Sequence, residues 1–166
     1  MTPIELLKEA FGRLEEAVPE VVDGLTDEQL THRVGPQANT IAWLVWHLTR
    51  VQDDHIADVA GTEQVWTSQG FARDFDLPFD DAAHGYGQTT EEVGQVRATA
   101  EQLSAYFRAT YAATVAYLDT LTPEDLDRVV DTRWDPPVTL GVRLVSVVND
   151  DTQHLGQAAF VRGLLA

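Results

Sequence analysis

Residues 25–30 read LTDEQL, and residues 121–126 read LTPEDL. Each stretch follows a segment with helical periodicity and precedes a proline-containing break, after which Thr40 or Thr139 stands before an apolar residue. This repeat indicates that the chain consists of two similar helix–turn–helix halves, and it predicts a four-helix bundle. A chance recurrence of a common helix-capping phrase is the alternative that stays open.

Four long helices are predicted from apolar residues that recur every three or four positions and from the capping residues in front of them. They cover residues 2–18, 40–61, 89–118 and 139–166. Thr2 and Thr89 open capping boxes, and the second helix is capped by Asn39 or Thr40. No segment has the pattern of a strand. The predicted fold class is therefore all-α, a four-helix bundle with a long loop over residues 61–88 between the second and third helices.

The composition indicates one globular domain over residues 1–166. Of the 166 residues, 44% are hydrophobic and 23% are charged, which is typical of a chain with a sizeable core. Lys and Arg number 11 against 27 Asp and Glu, for a net charge of −16. This charge argues against nucleic acid and anionic membranes as partners, because both would be repelled. Without a signal peptide or a membrane-length apolar run, we expect a cytoplasmic protein.

The chain contains no cysteine, so histidines and carboxylates remain as ligands for any metal ion. Apolar residues, among them Leu144, Val145 and Leu155, cover much of the circumference of the fourth helix, which is therefore expected to be largely buried. One arc of this helix is polar and consists of Arg143, Ser146, Asp150, His154 and Gln157. Buried polar groups are costly unless they bind one another, a metal or a ligand. This arc is the candidate functional site.

Asp150 and His154 are four residues apart, a spacing at which two side chains of a helix can converge on one cation. An ordinary salt bridge is the alternative. His47 and His55 on the second helix are the available third ligands, and only one can serve because about 12 Å of helix separates them. Helical periodicity slightly favours His55, and a histidine satisfied within the core is the alternative for either residue.

Two stretches resemble sequence motifs of the DinB-like superfamily. Residues 39–48, NTIAWLVWHL, are similar to its second-helix motif, and residues 149–157, NDDTQHLGQ, are similar to its last-helix motif. The resemblance implies a DinB-like four-helix bundle in which His47, Asp150 and His154 hold a divalent metal ion. Much of the superfamily uses three histidines. The carboxylate of Asp150 resembles instead the mycothiol-dependent maleylpyruvate isomerase branch, which has Glu at that position.

The resemblance also implies a function. Two imidazoles and a carboxylate suit zinc, and nickel or iron fit the same donors. An ion with an open coordination position lowers the pKa of a bound thiol, and the characterised activities of the family are thiol S-transfer and thiol-assisted isomerisation. We therefore expect a metal-dependent enzyme that activates a mycothiol-like thiol cosubstrate towards a small electrophilic metabolite. The alternatives are a non-catalytic protein that binds a metal or small molecule and, ranked lower, a metal-dependent hydrolase with Asp54 or Asp151 as its base.

Four further residues are expected to bind the small-molecule substrate. Arg143 and Gln157 lie on the same arc as the ligands and could hold a substrate carboxylate or a metal-bound group. His84 and Tyr86 belong to the 61–88 loop, which would cover the site as a lid. An Arg143–Asp150 ion pair and loop aromatics packed on the bundle are the alternatives. No catalytic residue is identified, and a homodimer is expected from base rates and from the resemblance.

Overall fold

The computed structural model describes residues 1–165, and the helices within this range are α1 (Pro3–Val22), α2 (Asp27–Leu30), α3 (Ile41–Ala60), α4 (Val65–Ser68), α5 (Phe71–Phe75), α6 (Thr90–Gln95), α7 (Ala100–Leu118) and α8 (Leu140–Leu164). A 3₁₀ helix covers Pro123–Asp127 and is followed by two short strands, β1 (Val129–Asp131) and β2 (Val138–Thr139). None of the helices between residues 1 and 165 has both the length and the apolar character that a membrane crossing needs.

The four long helices α1, α3, α7 and α8 form the bundle. α3 packs against α7 and α8, and α1 packs against the same two helices, so the cyclic order is α1, α7, α3, α8. The space between them is filled by large apolar side chains, among them Phe11, Trp46, Phe107 and Leu144, each at most 1% exposed. The predicted all-α bundle is confirmed, and α3 and α8 are neighbours within it.

Local capping signals set the helix starts as predicted. The Thr2 and Thr40 hydroxyl groups accept hydrogen bonds from backbone N–H groups at the starts of α1 and α3. The two repeated phrases each form one helical turn with a capping box, α2 behind Thr26 and the 3₁₀ helix behind Thr122. α1 runs beyond its predicted end and stops at Val22.

The third predicted helix is broken, which corrects the prediction of one continuous segment. α6 ends at Gln95, and Val96 has extended backbone with ψ of 106°. The Thr99 hydroxyl then accepts a hydrogen bond from the Gln102 N–H, and the Gln102 side chain accepts one from the Thr99 N–H. This capping box satisfies the free N–H groups of a new helix start, so the chain can break here at little cost.

The prediction that no segment forms a strand is also wrong. β1 and β2 pair antiparallel, with Val129 opposite Thr139 and Asp131 opposite Val138. They are three and two residues long, too short for an alternating pattern to show in the sequence. β2 leads directly into α8, and Thr139 also caps that helix. The pairing thereby holds Asp131 close to the first turns of α8.

The prediction that α8 is largely buried is wrong as well. Its buried residues are Leu140, Leu144, Val147, Asp151, Ala158 and Val161. Val145 is 60% exposed, because α8 packs on α1 and α3 and turns its remaining face to solvent. Asp150 and His154 are half-buried, while Ser146 and Gln157 are exposed. The polar arc therefore lies at the edge of the buried face.

The 61–88 segment is more ordered than the predicted loop, since it contains α4 and α5. Trp66 and Phe75 are 3% and 5% exposed, and both rings pack on Tyr106 of α7. Phe71 and Phe79 also pack against the core. These aromatic side chains belong to the core. This agrees with the alternative interpretation, in which the aromatic residues of the loop pack on the bundle and do not form a lid.

Candidate metal centre

Three side chains that could bind a metal meet where α3 packs against α8. His47 comes from α3, and Asp150 and His154 come from successive turns of α8. One potential ligand atom of each lies within 4.8 Å of the other two. Ligands about 2.1 Å from a tetrahedral ion lie about 3.4 Å apart, so rotamer adjustments on the ångström scale would bring all three onto one ion.

His47 is held in the orientation that a metal ligand needs. Its Nδ1 atom lies 2.5 Å from the carbonyl oxygen of His84, and since a carbonyl only accepts, Nδ1 carries the proton and donates. Nε2 is then left with a free lone pair. Burial lowers the pKa of His47 from 6.5 and keeps the ring neutral. The indole of Trp43 stacks on the imidazole at 4.4 Å between ring centroids and restrains its rotation.

The backbone of the loop can reach His47 only because residue 85 is glycine. Gly85 has φ of +96°, a backbone conformation that residues with a side chain rarely adopt. A Cβ atom there would lie 2.6 Å from His47 Nδ1 and 3.1 Å from the Trp46 ring. The loop therefore acts on the centre through the backbone of residues 84 and 85.

Arg50 fixes the same loop from α3. Its wholly buried guanidinium donates to the carbonyl oxygens of Asp81 and Ala83, both at 3.0 Å. The same group donates to Gln64 Oε1 at 2.7 Å and lies 3.8 Å from a carboxylate oxygen of Asp53. Ala83 directly precedes His84, so Arg50 fixes the backbone next to the residue whose carbonyl group orients His47.

His154 is oriented by Gln157, one turn further along α8. The Nδ1 atom of His154 donates to Gln157 Oε1 at 3.0 Å, which leaves Nε2 as the ligand atom. That Nε2 atom lies 3.7 Å from Asp150 Oδ1. Hydrogen bonds of this kind fix the tautomer and ring direction of metal-binding histidines. Gln157 thus contacts a candidate ligand directly, a positioning role that the sequence analysis did not assign to it.

The carboxylate of Asp150 has an unsatisfied atom. Its Oδ2 is buried and has no hydrogen-bond partner among residues 1–165. An unpaired buried carboxylate oxygen is costly, and a cation among these three side chains would satisfy it. One carboxylate and two neutral imidazoles match the nitrogen and oxygen donors that zinc accepts. The residues present therefore fit a divalent ion better than they fit a salt bridge between Asp150 and His154 alone.

Asp151, a candidate base for hydrolysis, is wholly buried. Neither of its carboxylate oxygens has a partner among residues 1–165. Burial, with a smaller contribution from the charge of Asp150, raises the pKa of Asp151 well above its ordinary value. Asp54, the other candidate, accepts a hydrogen bond from Gln64. Asp54 also lines the cavity that contains Arg143, whereas Asp151 has no access to solvent.

Arg143 and His55 meet two helical turns away from the three candidate ligands. Arg143 donates to Asp131 Oδ2 at 3.0 Å and to His55 Nδ1 at 3.1 Å. It is therefore not paired with Asp150. Both residues line a cavity of about 520 Å³ with Asp54, Asp58 and Arg133. Burial and the positive charge of Arg143 lower the pKa of His55. Of the two histidines on α3, the structure brings His47 to Asp150 and His154, and His55 to Arg143.

The remaining predicted site residues have different positions. Tyr86 follows Gly85 and is 87% exposed, with its ring centroid 6.4 Å from that of His84. His84 reaches the centre through its carbonyl group. Ser146 donates to the Val142 carbonyl of its own helix. Sequence reasoning missed the contributions of Gly85, Arg50 and Trp43, and the only visible signal was the pair of glycines, Gly85 and Gly87, that follows His84.

Comparison with known proteins adds three findings. A family model described as mycothiol-S-transferase matches residues 6–166. A crystal structure of a conserved protein from Enterococcus faecalis is 34% identical, with a TM-score of 0.90 over 98% of this chain and 96% of that one. A DinB-like protein from Bacillus cereus shares the fold at 21% identity, with a TM-score of 0.61 over 95% of this chain and 89% of that one. No curated protein matches the chain.

Proposed function

The chain belongs to the mycothiol-S-transferase family, and from this we propose that it is a metal-dependent enzyme that activates a low-molecular-weight thiol such as mycothiol. The activated sulfur is transferred to a small electrophilic metabolite or assists its isomerisation. The observation that carries the proposal is the meeting of His47, Asp150 and His154, with the unpaired Asp150 oxygen among them.

His47, Asp150 and His154 would hold the ion, for which zinc is the first choice and nickel or iron the others. A divalent ion with open positions lowers the pKa of a thiol bound to it. Since the chain contains no cysteine, the reacting sulfur must come from the cosubstrate. One carboxylate against a dication leaves a net positive site, which favours the deprotonated form of the thiol.

The surrounding residues keep the donors in place. The His84 carbonyl and Gln157 each accept the Nδ1 proton of one histidine, so both imidazoles offer Nε2. Trp43 stacks on His47 and excludes water from that face of the ring. In the transfer, the thiol loses its proton to solvent, its sulfur bonds to the electrophilic carbon, and the leaving group departs with its bonding electrons.

Arg143 is the residue we propose to anchor the electrophile. It is 16% exposed and faces the cavity of about 520 Å³, and its partner Asp131 could be exchanged for a substrate carboxylate. His84 and Tyr86 are proposed to line the approach to the centre, since Tyr86 leaves most of its ring free for contact.

A conjugation assay tests the proposal. Untagged protein, loaded with zinc or treated with chelator, is mixed with a thiol and chlorodinitrobenzene, from which the sulfur displaces chloride. We expect turnover with mycothiol in the loaded protein, and loss of turnover after chelation or in Asp150→Asn. A loaded protein that binds the ion tightly and turns over no thiol would be a non-catalytic metal-binding protein and would contradict the proposal.

A further inference from the structure

A second cavity lies on the other side of the three candidate ligands along the α3–α8 contact. Its volume is about 510 Å³, and its wall includes Asn39, Leu44, Gln153, Gln157 and Phe160. Leu44 precedes His47 on α3, and Gln157 follows His154 on α8. Since Gln157 Oε1 accepts a hydrogen bond from His154, the wall of this cavity is in direct contact with a candidate ligand.

The chemistry of this wall differs from that of the rest of the surface. In a chain with net charge −16, no charged side chain is found among the described residues that line it. Three amides supply its polarity. Gln157 keeps its NH₂ group as a donor, and Gln153, which donates to the Asn149 carbonyl, keeps its Oε1 as an acceptor. The ring of Phe160, 66% exposed, supplies an apolar surface.

The lack of charged side chains in this wall favours an uncharged polar ligand. An anion would find no cationic partner and would meet the negative field of the whole protein. A cation would find no carboxylate in the wall. A neutral group that carries hydroxyls and amides can pair with the three amides and lay an apolar face on Phe160, as in pockets that combine apolar walls with a few placed polar groups.

We propose that this cavity binds the uncharged carrier part of the thiol cosubstrate. In mycothiol that part is a sugar-derived group rich in hydroxyls, and the cysteine sulfur extends from it. The identity of the ligand rests on the proposed function. Because Gln157 contacts His154, a sulfur that extends from the carrier past Gln157 would be directed towards His154 and Asp150. The cavity at Arg143 would stay free for the electrophile.

Two glycines of α8 give a matched pair of variants. A Cβ atom at Gly156 or at Gly163 would meet nothing within 4 Å, so a side chain can be introduced at both positions without a clash at its first atom. Gly156 lines the cavity, and Gly163 does not. Both substitutions replace glycine within a helix by a better helix former, so neither should impair folding. Gly156→Leu fills the cavity, and Gly163→Leu is its control.

The experiment titrates S-methylmycothiol into the metal-free and zinc-loaded proteins by calorimetry, since the methylated sulfur cannot form a thiolate. We expect binding to both forms of the wild type and to Gly163→Leu, a loss of at least about tenfold in affinity in Gly156→Leu, and no binding of S-methyl-N-acetylcysteine, which lacks the carrier. Phe160→Ala should weaken binding in the same direction.

No binding of S-methylmycothiol to the wild type, or equal affinity for Gly156→Leu and Gly163→Leu, would overturn the inference. Because this probe does not react, the result is independent of catalysis. If the wild type conjugates mycothiol but Gly156→Leu binds S-methylmycothiol as well as the wild type does, the proposed function stands and the cavity has no part in it. If binding follows the expected pattern but the wild type conjugates no thiol, the cavity binds the carrier and the proposed function is wrong.

Discussion

The Nδ1–H group of His47 donates a hydrogen bond to the carbonyl oxygen of His84, so the backbone of a loop orients the buried histidine of the candidate metal centre. The contact depends on the absence of a side chain at the next residue, Gly85. It also depends on Arg50, which holds the carbonyl groups of Asp81 and Ala83. Each of these dependences can be measured.

Gly85→Ala should weaken metal binding by about ten- to a hundredfold, the loss typical when the partner of a metal-binding histidine is removed. The new Cβ atom would lie 2.6 Å from His47 Nδ1 and must push the loop or the ring away. Competition with a chromophoric chelator measures the affinity for zinc.

Gly87→Ala is the control for that variant. Gly87 also has positive φ, +74°, but a Cβ atom there would meet nothing within 4 Å. The left-handed backbone alone should cost each variant about 1 kcal/mol of stability, the clash adds to this loss only in Gly85→Ala, and only Gly85→Ala should lose zinc affinity. Equal zinc affinity in the two variants would show that His47 does not depend on the loop.

Gln157→Leu removes the acceptor for His154 Nδ1 and should lower zinc affinity by about tenfold or more. Gln153→Leu is matched to it, since Gln153 is exposed on the same helix and donates only to the backbone of Asn149. In a cobalt-substituted protein, the visible spectrum should change in Gln157→Leu and stay as in the wild type in Gln153→Leu. A change of the same size in both would refute the positioning role.

Arg50→Met should destabilise the protein by about 3–5 kcal/mol, because it leaves the carboxylate of Asp53 buried without its positive neighbour. The carbonyl groups of residues 81 and 83 also lose their donors. Urea unfolding gives the stability, and zinc affinity, measured where the variant is still folded, should fall as the loop is released. Arg128→Lys, an exposed arginine, should leave zinc affinity unchanged.

The helices could be predicted because their signals are local. Thr2 and Thr40 cap helices whatever the rest of the chain does. The break before α7 could also have been found, since Thr99 and Gln102 have capping-box spacing. The β1–β2 pair could not be, because five strand residues carry too little pattern.

The candidate site could be predicted only in part. Asp150 and His154 were visible as a spaced pair on one helix, but the choice between His47 and His55 depends on where α8 lies against α3. Periodicity slightly favoured His55, and only the family resemblance pointed to His47. The carbonyl group of His84 could not be predicted at all, since every residue has one and residue type carries no signal for its direction.

The stability of the metal-free protein should rise with pH below about 6.5 in part because of His55. Burial and Arg143 lower the pKa of His55 from 6.5 in the folded state. Between the folded and unfolded pKa values, the unfolded chain binds more protons, so raising the pH stabilises the fold, and the effect ends above 6.5. Buried His47 contributes with the same sign.

We would measure the free energy of unfolding in urea at several pH values between 5 and 7.5, the usual range of histidine titration. This free energy should rise less steeply with pH in His55→Gln than in the wild type. His32→Gln, an exposed histidine away from these clusters, is the comparison. If the unfolding free energy of His55→Gln changed with pH as steeply as that of the wild type, His55 would not be buried as a neutral ring beside Arg143.

The proposed function requires that His47, Asp150 and His154 together bind one divalent ion. Elemental analysis of untagged protein, dialysed after purification, measures this binding. We expect about one zinc, nickel or iron ion per chain in the wild type and in His55→Ala, and far less in His47→Ala, Asp150→Ala and His154→Ala. A wild type without a stoichiometric ion after incubation with each metal, or equal metal content in His154→Ala, would contradict it.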